Sequence, residues 1–242
     1  SEATEVILLG DAAETLGALL PLLHRKTDRG FLTEAKAGMA AWRERLDELE
    51  DQTRDPIQPQ YLMRVVDRCA APDAILASDS GTVATWTARH FDVRGGRQYL
   101  LSANLATIAA GVPYAIAAQW AHPGRACIAV TGSDGFAKVM GELLTAIQYR
   151  LPVKVVVSNV SSLGRRLRAG ENGSAAGAGA SNGGPADFAT WASANGALGL
   201  RVEHAAEVEP AVHRAFASPG PALVDVLVNP EELPRPAMAG GA

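Results

Sequence analysis

The run from residue 128 to residue 160 is the sequence feature that most constrains the fold. It begins with the apolar stretch Ile128-Ala-Val, passes through a Gly-rich turn and a helical pattern, and ends with Val153-Lys-Val-Val-Val157. A strand, a turn, a helix and a second strand make a βαβ unit of a parallel sheet. The turn then lies at the amino end of its helix, where free N–H groups and the helix dipole favour a phosphate. The sequence therefore predicts a phosphorylated ligand at residues 131–136.

The same alternation of strands and helices extends along most of the chain. We predict strands over 74–78, 98–102, 126–131, 153–158, 198–203 and 222–228. We predict helices over 60–70, 82–91, 106–121, 135–149, 186–195 and 206–217. Strands separated by helices imply right-handed crossovers, which give an α/β fold with a doubly wound parallel sheet and helices on both faces. Ligands of such sheets bind outside the carboxyl ends of the strands.

The amino-terminal part of the sequence looks like a fragment of another domain. Residues 4–10 predict a strand and residues 11–24 a helix, but one βα unit cannot bury both of its faces. A charged amphipathic helix follows over 31–52, and then a Pro-containing linker. We expect a remnant βα unit and linker helix over 1–55, a main domain over 56–236 and a tail over 237–242.

The composition excludes several classes of protein. The chain has 242 residues, of which 48% are apolar, a net charge of −4 and no apolar run near 18 residues. We therefore expect no membrane span and no nucleic-acid surface. Cys69 and Cys127 lie far apart in apolar surroundings, which predicts buried thiols and a cytoplasmic location.

A second candidate for phosphate binding is Asp79-Ser-Gly-Thr82, which follows a predicted strand and begins a helix. Its N–H groups and the Thr82 hydroxyl could hold a phosphate. Capping of the helix is the alternative, because Asp, Ser and Thr are common caps, and the same alternative applies to Asp134. The small-residue helix predicted within Asn104–Gln119 is suited to close packing, including packing at a dimer interface.

Together these stretches resemble the diphosphate-binding domain of thiamine diphosphate (ThDP) enzymes, near pyruvate oxidases, quinone-dependent pyruvate dehydrogenases and acetolactate synthases. The resemblance also rests on Leu19-Leu-Pro-Leu-Leu23, Leu151-Pro-Val-Lys-Val-Val-Val157 and Gly220-Pro-Ala-Leu-Val-Asp-Val226. It implies ThDP as cofactor, Mg²⁺ as its metal and a dimer or higher oligomer. It further implies that Asn159 supports the turn at residues 131–136 and that Ile108 bends the thiamine. The residues implied to face the diphosphate are Ser80, Gly81, Thr82, Ser133, Asp134 and Gly135.

The metal motif departs from the pattern of this family, which is Gly-Asp-Gly, a spacer and Asn-Asn. When this sequence is aligned with the family pattern at Phe136 and Glu142, the metal-binding Asp of the family falls on Ser133 and its metal-binding Asn falls on Val160. A serine hydroxyl is a weak ligand for Mg²⁺, and valine supplies no oxygen. We therefore expect an impaired site with no metal-ligating side chain, unless a one-residue shift brings in Asp134.

The resemblance implies two alternative functions, because the pyrimidine-binding domain of the family and its activating Glu are absent from this sequence. In the first, the chain supplies the diphosphate half of a 2-oxo acid decarboxylase or carboligase and has no catalytic side chain of its own. A pyrimidine-domain polypeptide, either a homologous or a split subunit, then completes the site. In the second, the chain is a non-catalytic partner that stabilises or regulates a related active subunit. A third hypothesis is a different small anion bound without metal.

The segment over 160–184 departs from the family as well. It is rich in Gly and Ala and contains few bulky residues. Such a composition buries little apolar surface. We therefore predict a flexible loop where relatives carry a segment that covers the substrate.

Overall fold

The computed structural model describes residues 5–160 and 186–234. Contacts within the chain divide it into two units, Ser1–Arg45 and Leu46–Ala242. The second unit begins ten residues before the predicted boundary at residue 56. Leu46 is buried, and Arg64 pairs with Asp47 at 2.9 Å and with Glu50 at 3.4 Å. These contacts attach the segment after residue 45 to the second unit.

The first unit consists of helices and connecting chain in its described part. Helix α1 spans Ala12–Leu19 and a short 3-10 helix spans Leu20–Leu22, whereas α2, over Gly30–Glu48, begins in this unit and ends beyond its boundary at Arg45. The Asp11 carboxylate caps α1 by accepting hydrogen bonds from the backbone N–H groups of its first turn. Residues 5–10, predicted as a strand, are not strand in the structure. A strand forms only by pairing with another strand, and the described residues provide none here.

The second unit contains a six-stranded parallel sheet, which confirms the doubly wound α/β fold. Its strands are β1 (Ile75–Ser78), β2 (Gln98–Leu101), β3 (Cys127–Gly132), β4 (Lys154–Val160), β5 (Leu198–Val202) and β6 (Ala222–Val228). They lie in the order β2-β1-β3-β4-β6-β5, and all neighbouring pairs are parallel. The register pairs Ser78 with Val130 and Gly132 with Ser158, so the carboxyl ends of β1, β3 and β4 lie side by side.

Helices cover both faces of the sheet, as predicted. They are α3 (Pro59–Cys69), α4 (Thr82–His90), α5 (Gly111–Ala121), α6 (Ser133–Val139), α7 (Glu142–Gln148), α8 (Phe188–Ala194) and α9 (Ala205–Ala217). One buried apolar cluster joins α3, α4 and α9 to the sheet, and another joins α5, α6, α7 and α8 to it. Alternate strand residues belong to opposite clusters, as with Ile128 and Ala129. The sheet is therefore the central layer of three.

Helix α5 begins later than the predicted residue 106. Ala106 and Ala109 have φ values of 47° and 74°, which are incompatible with a right-handed helix. The first helical residue is Gly111, whose N–H donates to Oδ1 of the buried Asp79 at 2.7 Å. The helix thus starts where a carboxylate from another part of the chain accepts one of its free N–H groups.

The single helix predicted over 135–149 is two helices, α6 and α7. Between them the Leu143 N–H donates to the Met140 carbonyl at 3.1 Å, and the Leu144 N–H donates to the Gly141 carbonyl at 3.0 Å. These bonds span three residues rather than four, which tightens the backbone and separates the two helices.

Three remaining expectations concern the thiols, the membrane and the carboxyl-terminal segments. Cys127 is a buried free thiol and Cys69 a partly buried one. None of the helices in the described ranges is long and apolar enough to cross a membrane. The predicted loop over 160–184, beyond its first residue, and the predicted tail over 237–242 lie outside the described residues.

Candidate functional site

The order of the strands creates a crevice between β1 and β3. From β1 the chain crosses to β2 on one side, and it then returns past β1 to reach β3 on the other. The connections that follow β1 and β3 therefore leave in opposite directions. Doubly wound sheets bind ligands in the crevice between two such strands, outside their carboxyl ends. A cleft of about 280 Å³ lies at this edge.

Most of the residues predicted to bind the cofactor line this cleft. Those that do are Ser80, Gly81, Thr82, Ile108, Ser133, Asp134 and Gly135. Val160 lines the cleft too. Asn159 lines a neighbouring cleft of about 430 Å³, which it shares with Ser133 and Asp134. The fold thus brings the two predicted phosphate-binding segments to one place from positions about 50 residues apart.

Asp79 is an organising residue of the site whose role the sequence did not reveal. Its carboxylate is buried, and it accepts hydrogen bonds from the Gly111 N–H and from the Thr131 hydroxyl. A Cβ atom at Gly135 would lie 2.0 Å from Asp79 Oδ2, so only glycine permits this approach. The expectation that the Asp79-Ser-Gly-Thr82 motif caps the helix that follows it is wrong, because α4 has no side-chain cap; the Asp79 carboxylate instead accepts from the first residue of α5. Asp79 joins the ends of β1 and β3 to the start of α5.

Two serine hydroxyls at the cleft have no hydrogen-bond partner. The Oγ atoms of Ser80 and Ser133 are both closed off from solvent, and Ser133 as a whole is 5% exposed. A buried hydroxyl that forms no hydrogen bond costs about 1–3 kcal/mol. A ligand with polar oxygens at this position would satisfy both groups.

The start of α4 adds backbone N–H donors to the side of the cleft that carries Ser80. Its N-cap is Gly81, which has a φ of 97° and provides no side-chain cap. The first N–H groups of a helix have no partners within the helix. Because Thr82 and Val83 line the cleft, an anion bound there would meet the positive end of the helix dipole.

The charged groups at the cleft do not favour an anion. Of the described residues that line it, none is Lys, Arg or His, whereas three are acidic: Asp79 is buried, Asp134 is exposed and Glu232 is partly buried. The described ranges also contain no cluster of three His, Cys, Asp or Glu side chains that could hold a metal. The hydroxyl and N–H groups at the cleft are donors that suit phosphate oxygens.

Asn159 belongs to a buried polar network beside the cleft. Its Nδ2 donates to Asp225 Oδ1 at 2.8 Å and to the Ala186 carbonyl at 3.0 Å. Asp225 also accepts from the Phe188 N–H at 3.0 Å and from the Arg201 guanidinium. Burial raises the pKa of the Asp225 carboxyl group, against the opposing effects of Asn159 and Arg201. The Asn159 side chain is thus used to hold β4 to β6 and to the start of α8.

Comparison with known proteins points to one enzyme family. Residues 79–226 match the family model for the thiamine pyrophosphate enzyme, C-terminal TPP binding domain. A Bacillus subtilis protein named as thiamine pyrophosphate-containing is 36% identical over 93% of this chain and 39% of its own length. The pyruvate oxidase of Lactiplantibacillus plantarum is 33% identical over 64% of this chain and 26% of its own length. The acetolactate synthase large subunit of Porphyra purpurea is 30% identical over 98% of this chain and 40% of its own length.

A solved structure resembles the fold as well. It is the thiamine diphosphate-dependent 4-hydroxybenzoylformate decarboxylase of Rhodococcus jostii RHA1. It matches with a TM-score of 0.60 and 26% identity, over 71% of this chain and 32% of that chain. The present chain therefore spans well under half the length of each of these relatives.

Proposed function

Because this chain belongs to the thiamine pyrophosphate enzymes through their C-terminal TPP-binding domain, we propose that it supplies the diphosphate-binding half of a 2-oxo acid decarboxylase or carboligase resembling pyruvate oxidase. A pyrimidine-domain polypeptide, either a homologous or a split subunit, completes the site in a dimer or higher oligomer. The observation that carries this proposal is the pair of unpartnered hydroxyls, Ser80 and Ser133, on the two walls of one cleft.

In this proposal the residues of the chain bind and orient the cofactor. The hydroxyls of Ser80 and Ser133 and the first N–H groups of α4 hold the diphosphate. Ile108, which is 51% exposed and lies between the left-handed residues Ala106 and Ala109, supports the thiamine. When bound, ThDP supplies the carbon nucleophile and the electron sink for 2-oxo acid chemistry. We assign no catalytic side chain to this chain.

We further propose that the magnesium site of the chain is impaired. Ser133 offers one neutral hydroxyl, and Val160 offers only hydrocarbon to the same cleft. Residues 1–55 correspond in this proposal to a remnant of the central Rossmann-like domain with its linker helix. The free thiols of Cys69 and Cys127 suit a reducing, cytoplasmic location.

Titration calorimetry tests the proposed function. ThDP and Mg²⁺ are titrated into this chain alone and into its mixture with the pyrimidine-domain polypeptide of a homologous enzyme. We expect affinity to rise at least about tenfold with the second polypeptide, and Ser80→Ala to reduce it about tenfold through loss of one hydrogen bond to a charged group. Absence of ThDP binding in every mixture would refute the proposal.

The alternative function is that of a non-catalytic partner of a related active subunit. It is favoured by the lack of basic side chains among the described residues of the cleft, and by the absence from the described ranges of a cluster of three His, Cys, Asp or Glu side chains that could hold a metal. Activity of a homologous full-length enzyme, measured with and without this chain, distinguishes the two functions. An increase in that activity without ThDP binding by this chain would support the alternative.

A further inference from the structure

Resting on the proposed function, we infer that this cleft binds the diphosphate group directly, with no divalent cation between the phosphate oxygens and the protein. The cleft would then differ from a metal-bridged site in its response to Mg²⁺. Its affinity would depend on hydroxyl and N–H donors, and removal of Mg²⁺ would leave that affinity unchanged.

At the ends of β3 and β4, Ser133 and Val160 are poor ligands for a divalent cation. Gly132 of β3 is paired with Ser158 of β4, and the residues just beyond this pair on the cleft include Ser133 and Val160. Mg²⁺ binds six oxygens in octahedral geometry and is usually anchored by carboxylates. One neutral hydroxyl and one aliphatic side chain do not provide such an anchor.

Direct donors to a phosphate are present in the same cleft. The Ser133 hydroxyl is more than nine-tenths buried and has no hydrogen-bond partner, and the Ser80 hydroxyl on the other wall also has none. Helix α4 has nine residues and begins at the cleft with no side-chain cap. These groups together can donate hydrogen bonds to several phosphate oxygens at once.

The acidic side chains of the cleft limit this affinity. Asp134 is exposed and lines the cleft, so its charge repels a bound diphosphate through solvent. Asp134→Asn should therefore strengthen binding about two- to fivefold, the range expected for one exposed charge. Asp73→Asn is the matched control, because the exposed Asp73 precedes β1 at the opposite edge of the sheet and should not change affinity.

Calorimetry with the full chain tests the inference. Inorganic pyrophosphate and ThDP are each titrated in saturating Mg²⁺ and in EDTA. We expect equal affinities within about twofold in the two solutions. Ser133→Ala should weaken binding about tenfold, whereas Ser193→Ala, at an exposed residue of α8 outside the cleft, should not. Binding of either ligand only in Mg²⁺ would overturn the inference and leave the proposed function intact, and no binding of pyrophosphate in either solution would overturn it too.

A pair of substitutions provides the complementary test. Ser133→Asp combined with Val160→Asn introduces a carboxylate and a carboxamide where a cation would lie, and we expect affinity at least about tenfold higher in Mg²⁺ than in EDTA. Thermal unfolding verifies that the variant is folded. A folded variant without a response to Mg²⁺ would contradict the inference. If pyrophosphate binds in EDTA and ThDP does not, the inference stands and the proposed function fails.

Discussion

At the scale of single residues, the burial of His90 makes the stability of the protein depend on pH in mildly acidic solution. Its side chain is 1% exposed, and neither ring nitrogen has a hydrogen-bond partner. Burial, assisted by the charges of Arg64 and Arg89, lowers the pKa of His90 from 6.5 to about 4. The folded protein therefore holds a neutral imidazole at pH 7.

This shift predicts a loss of stability in acid. Between pH 6.5 and pH 4 the unfolded chain binds a proton on His90 and the folded chain does not, so the free energy of unfolding decreases as the pH falls through this window. The loss from this group reaches about 3 kcal/mol near pH 4. Urea unfolding of the wild type and of His90→Leu measures it. The variant should show a shallower pH dependence in this window, and equal slopes would contradict the prediction.

At the scale of elements, α8 packs closely against the backbone of β5. A Cβ atom at Gly199 of β5 would lie 2.0 Å from the Ala189 carbonyl and 2.6 Å from Ser193 Oγ, both on α8. This approach allows Phe188 of α8 to contact Phe136 of α6 edge to face, with 5.1 Å between ring centroids. One glycine on an edge strand thus determines how deeply α8 packs.

We expect Gly199→Ala to destabilise the protein by about 1–3 kcal/mol, because the added methyl group displaces α8 from β5. Gly124→Ala is the control, since a Cβ atom at Gly124 would meet no atom within 4 Å. Urea unfolding should place the Gly124 variant within about 1 kcal/mol of the wild type. Equal midpoints for the Gly199 variant and the wild type would contradict the prediction.

At the scale of the whole molecule, the two units differ in how they bury apolar side chains. The second unit contains both large buried apolar clusters and the candidate cleft. In the described part of the first unit the apolar side chains are largely exposed, as with Ile7 at 80% and Leu22 at 74%. The stability of the protein should therefore reside in the second unit.

A shortened chain that begins at Leu46 tests this expectation. It should unfold cooperatively, with a thermal midpoint within a few degrees of that of the main transition of the full chain, because both apolar clusters are retained. Circular dichroism and calorimetry measure the transition. Loss of cooperative unfolding would mean that residues 1–45 are needed for the fold of the second unit.

Much of the sheet could be predicted from the sequence. The strand observed over Ala222–Val228 has the predicted bounds, that over Ile75–Ser78 begins one residue later than predicted, and that over Cys127–Gly132 differs by one residue at each end. These strands are short apolar runs rich in β-branched residues and bounded by turn residues, so their periodicity and limits are local properties. The family was likewise identified from local motifs.

The sequence by itself therefore determined the α/β class, the parallel strands and the segments that line the cleft, because each depends on residues close together in the chain. Only the tertiary structure decided where α5 begins and what Asn159 binds. Asp79 caps a helix 32 positions later, and Asn159 binds Asp225 across 66 positions. Such hydrogen bonds form only after the sheet has brought distant side chains together, and no local pattern specifies which buried polar groups will meet.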